Sequence, residues 1–216
     1  MSNPTLSRAQ LSDKLALYLV TDQRADTANL LDVVQQALSG GVTTVQLRRK
    51  HDDGAQLVEL GRAIRKLTRE YGAFYIVNDR VDIALLTDAD GVHVGQSDIS
   101  CTDVRKLVGD TMVIGVSTCT VEEAQIAVAA GADYLGVGSV FPTSSKPDAD
   151  MCGIDGLQAI ADCVDVPIVG IGGIQQDNVV QVLEAGADGI AVVSAIMGAS
   201  DVSGASADLL AMVRNR

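Results

Sequence analysis

Short apolar runs alternate with longer amphipathic stretches along the chain. The apolar runs are Leu15–Thr21, Thr43–Leu47, Phe74–Val77, Gly91–Val94, Met112–Val116, Tyr134–Val140, Pro167–Ile171 and Gly189–Ser194. They are rich in Val, Ile and Leu and nearly continuous, the pattern of strands covered on both faces. The stretches between them, such as LLDVVQQALSGG and VEEAQIAVAAGAD, repeat apolar residues at three- and four-residue steps, the period of a helix with one buried face. The joints repeat a device. SGGVTTVQL, YGAFYIV, DADGVHV, AGADYLGVG and AGADGIAVV each place Gly between a helical segment and a strand, where a left-handed residue ends a helix cheaply. Strict alternation predicts parallel strands with right-handed crossovers. Eight such units predict an α/β fold, a (β/α)8 TIM barrel of parallel strands, with a doubly wound open sheet as the alternative. The chain reads as one domain over residues 1–216, with residues 1–14 as a polar N-terminal extension.

Composition narrows the functions open to such a fold. Sixteen Lys and Arg stand against 28 Asp and Glu, a net charge of −12. An acidic surface repels phosphate backbones, so nucleic acid is not an expected partner. Aromatic residues are 3% and Trp is absent, leaving little for base stacking. No apolar run reaches membrane-spanning length, and the N-terminus has no signal-peptide core, so no membrane partner and a cytoplasmic location are expected. Cys101, Cys119, Cys152 and Cys163 show no CxxC spacing and read as reduced thiols.

In a barrel the chemistry sits at the C-terminal ends of the strands, and the polar clusters of this chain follow its apolar runs. The second run continues into Gln46, Leu47, Arg48, Arg49 and Lys50, the third into Asn78 and Asp79, and the fourth into GQSD with Asp98. The fifth leads to Ser117, the sixth to FPTSSKPDAD, the seventh to GIGGI and the eighth to Ser194. Gln46, Arg48 and Lys50 alternate and share one face of a continuing strand, an anion clamp to which Lys146 can add a charge. Asp79 and Asp98 supply carboxylates for Mg²⁺, which uses one or two and completes its shell with substrate oxygens and water. Gly170, Gly172, Gly173 and Ser194 occupy the usual phosphate corner of a barrel, with Thr143 and Ser145 nearby. Each element has a plainer reading. GIGGI can be a tight strand exit, RRK a solvated loop, and Asn78–Asp79 and Asp98 helix caps. His93 reads as a packed or supporting residue.

The motifs YLVTD, QLRRK, NDRVDIAL, DGVHVGQSD, GVST, GADYLGVGSVFPTSSK, GIGGI and ADGIAVVSAI, in this order, resemble the thiamine phosphate synthase family from Leu15 to about Met197. The resemblance implies a transferase that joins 4-amino-2-methyl-5-hydroxymethylpyrimidine diphosphate to a methylthiazole ethyl phosphate or its carboxylated form, releasing pyrophosphate. It implies that Gln46, Leu47, Arg48, Arg49, Lys50, Asn78, Ser117 and Lys146 hold the pyrimidine diphosphate. Of these, Arg48, Lys50, Ser117 and Lys146 would serve the chemical step. Thr143, Ser144, Ser145, Gly173, Val193 and Ser194 would hold the thiazole phosphate, and Asp79 and Asp98 the Mg²⁺ cofactor. Two positions depart from the family pattern: Arg49 stands where Glu is common, and Ser145 where Thr is common. Barrels of this kind often form homo-oligomers. A thiazole tautomerase, another phosphate-binding barrel enzyme and a ligand-binding regulator are the competing readings, and none needs the whole diphosphate and metal set.

Overall fold

The computed structural model describes residues 6–24, 26–143 and 150–215. The strands are β1 (Leu17–Val20), β2 (Thr44–Leu47), β3 (Phe74–Asn78), β4 (Gly91–Val94), β5 (Val113–Thr118), β6 (Tyr134–Val137), β7 (Ile168–Ile171) and β8 (Gly189–Val192). They pair in parallel and in chain order, and β8 closes onto β1. The helices are α1 (Arg8–Leu15), α2 (Thr27–Ser39), α3 (Gly54–Tyr71), α4 (Val81–Leu86), α5 (Cys101–Val108), α6 (Val121–Ala129), α7 (Gly153–Ala161), α8 (Val179–Glu184), α9 (Ser194–Met197) and α10 (Val202–Arg214). The expected closed parallel barrel is thus observed, and the open sheet is not.

Strand alternation divides the apolar residues into two cores. Tyr18, Val20, Ile76, Tyr134, Val169 and Ala191 point inward and form one cluster. Leu19, Val45, Leu47, Val77, Ile114, Leu135 and Ile190 point outward and pack on the helices. This parity later decides which residues of QLRRK can reach a ligand.

Within the stretch read as a polar extension over residues 1–14, the described part holds a helix. It starts at Arg8, opened by a capping box between Ser7 and Gln10. Leu11 and Leu15, one turn apart, are buried in the inner cluster, so α1 covers the N-terminal end of the barrel. Two apolar residues in an otherwise polar helix are too weak a stripe to stand out in sequence. The joints depart once from expectation. Gly72, Gly131 and Gly186 take the left-handed conformation expected of them, but in DADG the positive φ belongs to Asp88 and Gly91 lies within β4.

A fourfold device closes the N-terminal end. The residue preceding each even strand sends a side-chain oxygen to a backbone N–H of the preceding odd strand. Thr43 Oγ1 accepts from Leu17, Asp90 from Tyr75, Asp133 from Ile114 and Asp188 from Ile168, at 2.7–3.0 Å. The three aspartates are each paired with an arginine: Arg65 with Asp90, Arg105 with Asp133 and Arg8 with Asp188. These N–H groups belong to the first or second residue of their strands, where the ladder alone leaves a donor unmet.

Candidate active site

The opposite end of the barrel opens into a cavity, and most of the sequence-derived site residues line it. From β2 and its extension come Gln46, Arg48 and Lys50, on the inward parity of that strand. Leu47 has the outward parity and lies in the outer core. Arg49 turns aside as well, with its Nε 2.9 Å from Asp52 and a further bond to the Arg24 carbonyl. The structure therefore brings three of these five residues to the cavity and leaves Leu47 and Arg49 outside it.

Asn78 ends β3, and Asp79 follows with φ +61, a conformation that Asp tolerates better than most side chains. The Asp79 N–H donates to His93 O at 2.8 Å, which fixes the turn. Neither Asn78 nor Asp79 caps α4; Arg80 holds the cap position and makes no side-chain cap bond. Arg80 instead pairs with Asp82 at the exposed rim. Asp98 also does not cap a helix, since Ser100 caps α5. Its Oδ2 accepts from Gly95 N at 2.8 Å and so folds the GQSD loop inward.

These two turns place the Asp79 and Asp98 carboxyls side by side. Burial first, and the Asp98 carboxyl next, push the Asp79 carboxyl above its ordinary value, while Lys50 opposes them from 3.6 Å. Two like charges held together at a cavity wall are unfavourable without a cation. No group of three or more His, Cys, Asp or Glu side chains gathers as a metal cage among the described residues. Two hard oxygen donors facing an anion clamp fit Mg²⁺, an ion that relies on substrate oxygens for the rest of its shell.

A second polar corner lies across the mouth. Gly172 and Gly173 both have positive φ, and a side chain at Gly173 would strike Pro142 O at 2.5 Å. The chain after β6 lies against this turn through bonds from Val140 N to Ile171 O and Phe141 N to Gly172 O. Thr143, Gly173, Val193 and Ser194 line the cavity here, and Ser194 opens the short helix α9. Ser144, Ser145 and Lys146 lie outside the described residues.

Between the two corners, a buried hydrogen-bonded row crosses the barrel. Gln46 Nε2 donates to Tyr18 Oη at 2.8 Å, and Tyr18 Oη lies 2.9 Å from Tyr134 Oη. Tyr134 Oη is 3.0 Å from His93 Nδ1, and His93 Nε2 is 2.9 Å from Ser117 Oγ. His93 is thus both packed and supporting, as its place in an apolar strand suggests, and the two tyrosines join it in the row without a motif of their own. Their signal was the pairing of an aromatic residue with glycine across neighbouring strands. Gly115 is in register with both His93 and Tyr134, and a Cβ there would lie 2.1 Å from Tyr134 Cζ. Gly136 likewise leaves room for His93. Gly115→Ala is expected to destabilise the protein by about 1–3 kcal/mol, the usual range for overpacking a core. Urea denaturation would measure this, and an unchanged midpoint would show that the Tyr134 ring can move aside.

Asp22 does not line the cavity. It forms a two-oxygen pair with Nε and Nη2 of Arg24, whose Nη2 also donates to Met197 O and whose Nη1 donates to Asn29. Burial raises the Asp22 carboxyl, but the Arg24 bonds outweigh it, and the net shift is below the ordinary value. This pair ties the loop after β1 to the end of α9. His51 is exposed beside Lys50, and no bond to it among the described residues assigns it a role.

Comparison with known proteins converges on one family. The family described as thiamine monophosphate synthase matches residues 17–196. A thiamine-phosphate synthase of Moorella thermoacetica is 54% identical over 91% of this chain and 95% of its own length. One from Pyrococcus furiosus is 47% identical over 94% and 97%. The solved thiamine phosphate pyrophosphorylase from Pyrococcus furiosus superposes with a TM-score of 0.87, at 43% identity, covering 95% of this chain and 98% of that one. With the barrel and its cavity in place, the chain belongs to the thiamine monophosphate synthase family.

Proposed function

We propose that this cavity condenses a hydroxymethylpyrimidine diphosphate with a thiazole phosphate to give thiamine phosphate and pyrophosphate. The observation that carries the reading is the convergence of Arg48, Lys50, Asn78, Asp79 and Asp98 on one wall of the cavity. The tautomerase reading leaves this diphosphate and metal set without a purpose, as does that of a simple monophosphate barrel.

In the reaction the bond from the pyrimidine methylene to the diphosphate oxygen breaks, and its electron pair leaves with pyrophosphate. The aminopyrimidine ring shares the positive charge left on the methylene, and the thiazole nitrogen then forms the new C–N bond. Arg48 and Lys50 meet the charge that grows on the leaving group, the kind of stabilisation that acts most in the transition state. Asp79 and Asp98 hold Mg²⁺, which neutralises pyrophosphate charge when bound. Asn78, Gln46 and Ser117 orient the pyrimidine substrate. Gly173, Thr143, Val193 and Ser194 hold the thiazole phosphate at the corner after β7 and β8, the common phosphate position in barrels, and so align the nucleophile. Ser144, Ser145 and Lys146 join these sets on the strength of the family resemblance. Ser117 Oγ and His93 Nε2 stand within hydrogen-bond reach at this wall, but a substitution driven by leaving-group stabilisation asks for no protein nucleophile, and the pair serves to orient the substrate.

The test is incubation of the folded protein with both precursors and Mg²⁺. Equimolar pyrophosphate and thiamine phosphate are expected, with neither formed when one precursor or the metal is omitted. A folded sample that makes no product would turn the assignment toward the tautomerase or regulator readings.

A further inference from the structure

With the Gln46 amide nitrogen turned toward Tyr18, as in the structure, the row from Gln46 to Ser117 carries its protons in one order. Gln46 Nε2 bears hydrogens alone, so it donates to Tyr18. Tyr18 is fully enclosed, and the remaining partner for its single hydroxyl proton is Tyr134. Tyr134, already accepting from Tyr18, sends its own proton to His93 Nδ1. That nitrogen must therefore be bare. The ring proton sits on Nε2 and points at Ser117 Oγ. Ser117 accepts with one lone pair, and its own O–H is left to turn into the cavity.

We propose that Tyr134 is a positioning residue for the diphosphate-bearing substrate: by fixing His93 as the Nε2–H tautomer it makes Ser117 a hydrogen-bond donor to that substrate. Three observations outside the hydrogen bonds support a built device. Gly115 and Gly136 keep the space into which the Tyr134 and His93 rings reach. The two tyrosines and the histidine stand on three different strands, so chain neighbours alone do not bring them together. Burial raises both tyrosine hydroxyls well above their ordinary value, so both carry the protons that the order requires. An electron-rich anion is better met by a donor than by an oxygen lone pair, so the direction of the row matters at its Ser117 end. The proposal rests on the functional reading above for the identity of the substrate, but the order of the protons does not.

The experiment uses the full chain, labelled with ¹⁵N. There are two histidines, and a His51→Asn variant assigns their ring signals. Long-range ¹H–¹⁵N spectra at neutral pH should show His93 protonated at Nε2 and bare at Nδ1. Tyr18→Phe and Tyr134→Phe each remove one hydroxyl from the row. Tyr18→Phe should keep the tautomer, because Tyr134 retains its own proton, whereas Tyr134→Phe should give a mixture. In kinetics, Tyr134→Phe should raise KM for the pyrimidine diphosphate by about tenfold, within the range of one hydrogen bond, and leave KM for the thiazole phosphate unchanged. In a Ser117→Ala background, adding Tyr134→Phe should have no further effect on that KM. A wild-type His93 protonated at Nδ1 overturns the proposal, as do equal spectral changes in the two tyrosine variants or multiplicative effects of Tyr134→Phe and Ser117→Ala. If the wild type does not turn over the pyrimidine diphosphate, the functional reading fails while the spectra still decide the order of the row.

Discussion

Asp79→Asn is expected to lower turnover at limiting Mg²⁺ by ~10²–10³, the scale for removing one group that stabilises a developing charge. The substitution keeps the shape of the side chain and a residue that tolerates φ +61. It removes a charge that burial and Asp98 already disfavour. The folded state should lose nothing, and the melting temperature should hold or rise slightly. The combination is diagnostic: a structural aspartate would lose stability, while a metal-holding one loses turnover. Steady-state rates across a Mg²⁺ titration, with melting curves on the same samples, make the measurement. Full activity at limiting Mg²⁺ would remove Asp79 from the metal site.

Asp90→Ala should show the opposite profile. Asp90 takes Arg65 through two bonds, at 2.6 and 3.0 Å, and accepts from Tyr75 N at 2.8 Å. The Arg65 and Asp90 side chains are only 15% and 12% exposed. Truncating one member of such a pair leaves the other charge buried without compensation, at about 3–5 kcal/mol. The Tyr75 N–H loses its acceptor as well. For a chain of this length the loss corresponds to a fall in melting temperature on the order of 10 °C. Because Asp90 stands at the end away from the cavity, kcat below the new transition should match the wild type. A variant that melts with the wild type would show that water replaces the carboxylate at that end.

The barrel was legible because its strands are buried on both faces and its helices on one, so two periods alternate visibly along the chain. Most of the cavity-lining residues were legible for a related reason, since polar clusters follow apolar runs where a strand leaves the core. Leu47 and Arg49 show the limit of that logic. They sit in the same motif as Gln46, Arg48 and Lys50, but strand parity sends Leu47 outward, and Asp52 and the Arg24 carbonyl draw Arg49 away. The row through Tyr18, Tyr134 and His93 was hidden because its members are distant in sequence and each alone suits a core strand. The aspartates before β4, β6 and β8 were in plain view in DADG, GADY and GADG. The glycine beside each drew attention to the turn and away from the carboxylate, whose acceptor role appears only once the neighbouring strand is placed.

Those carboxylates bear on how the chain finds its fold. Each staple joins two successive strands, across separations of 26, 15, 19 and 20 residues. Loops of that size cost little entropy to close, and each further doubling adds only about 0.6 kcal/mol. The ring can therefore assemble as four quarters that lock separately, each from contacts near in sequence. Four seams then join the quarters, and the one that closes the ring lies between the first quarter and the last. There α1 supplies the bridge, with Arg8 and Ser12 reaching Asp188 across 180 and 176 residues. The short polar helix thus ties the last quarter to the first, beside the β1–β8 ladder that closes the barrel.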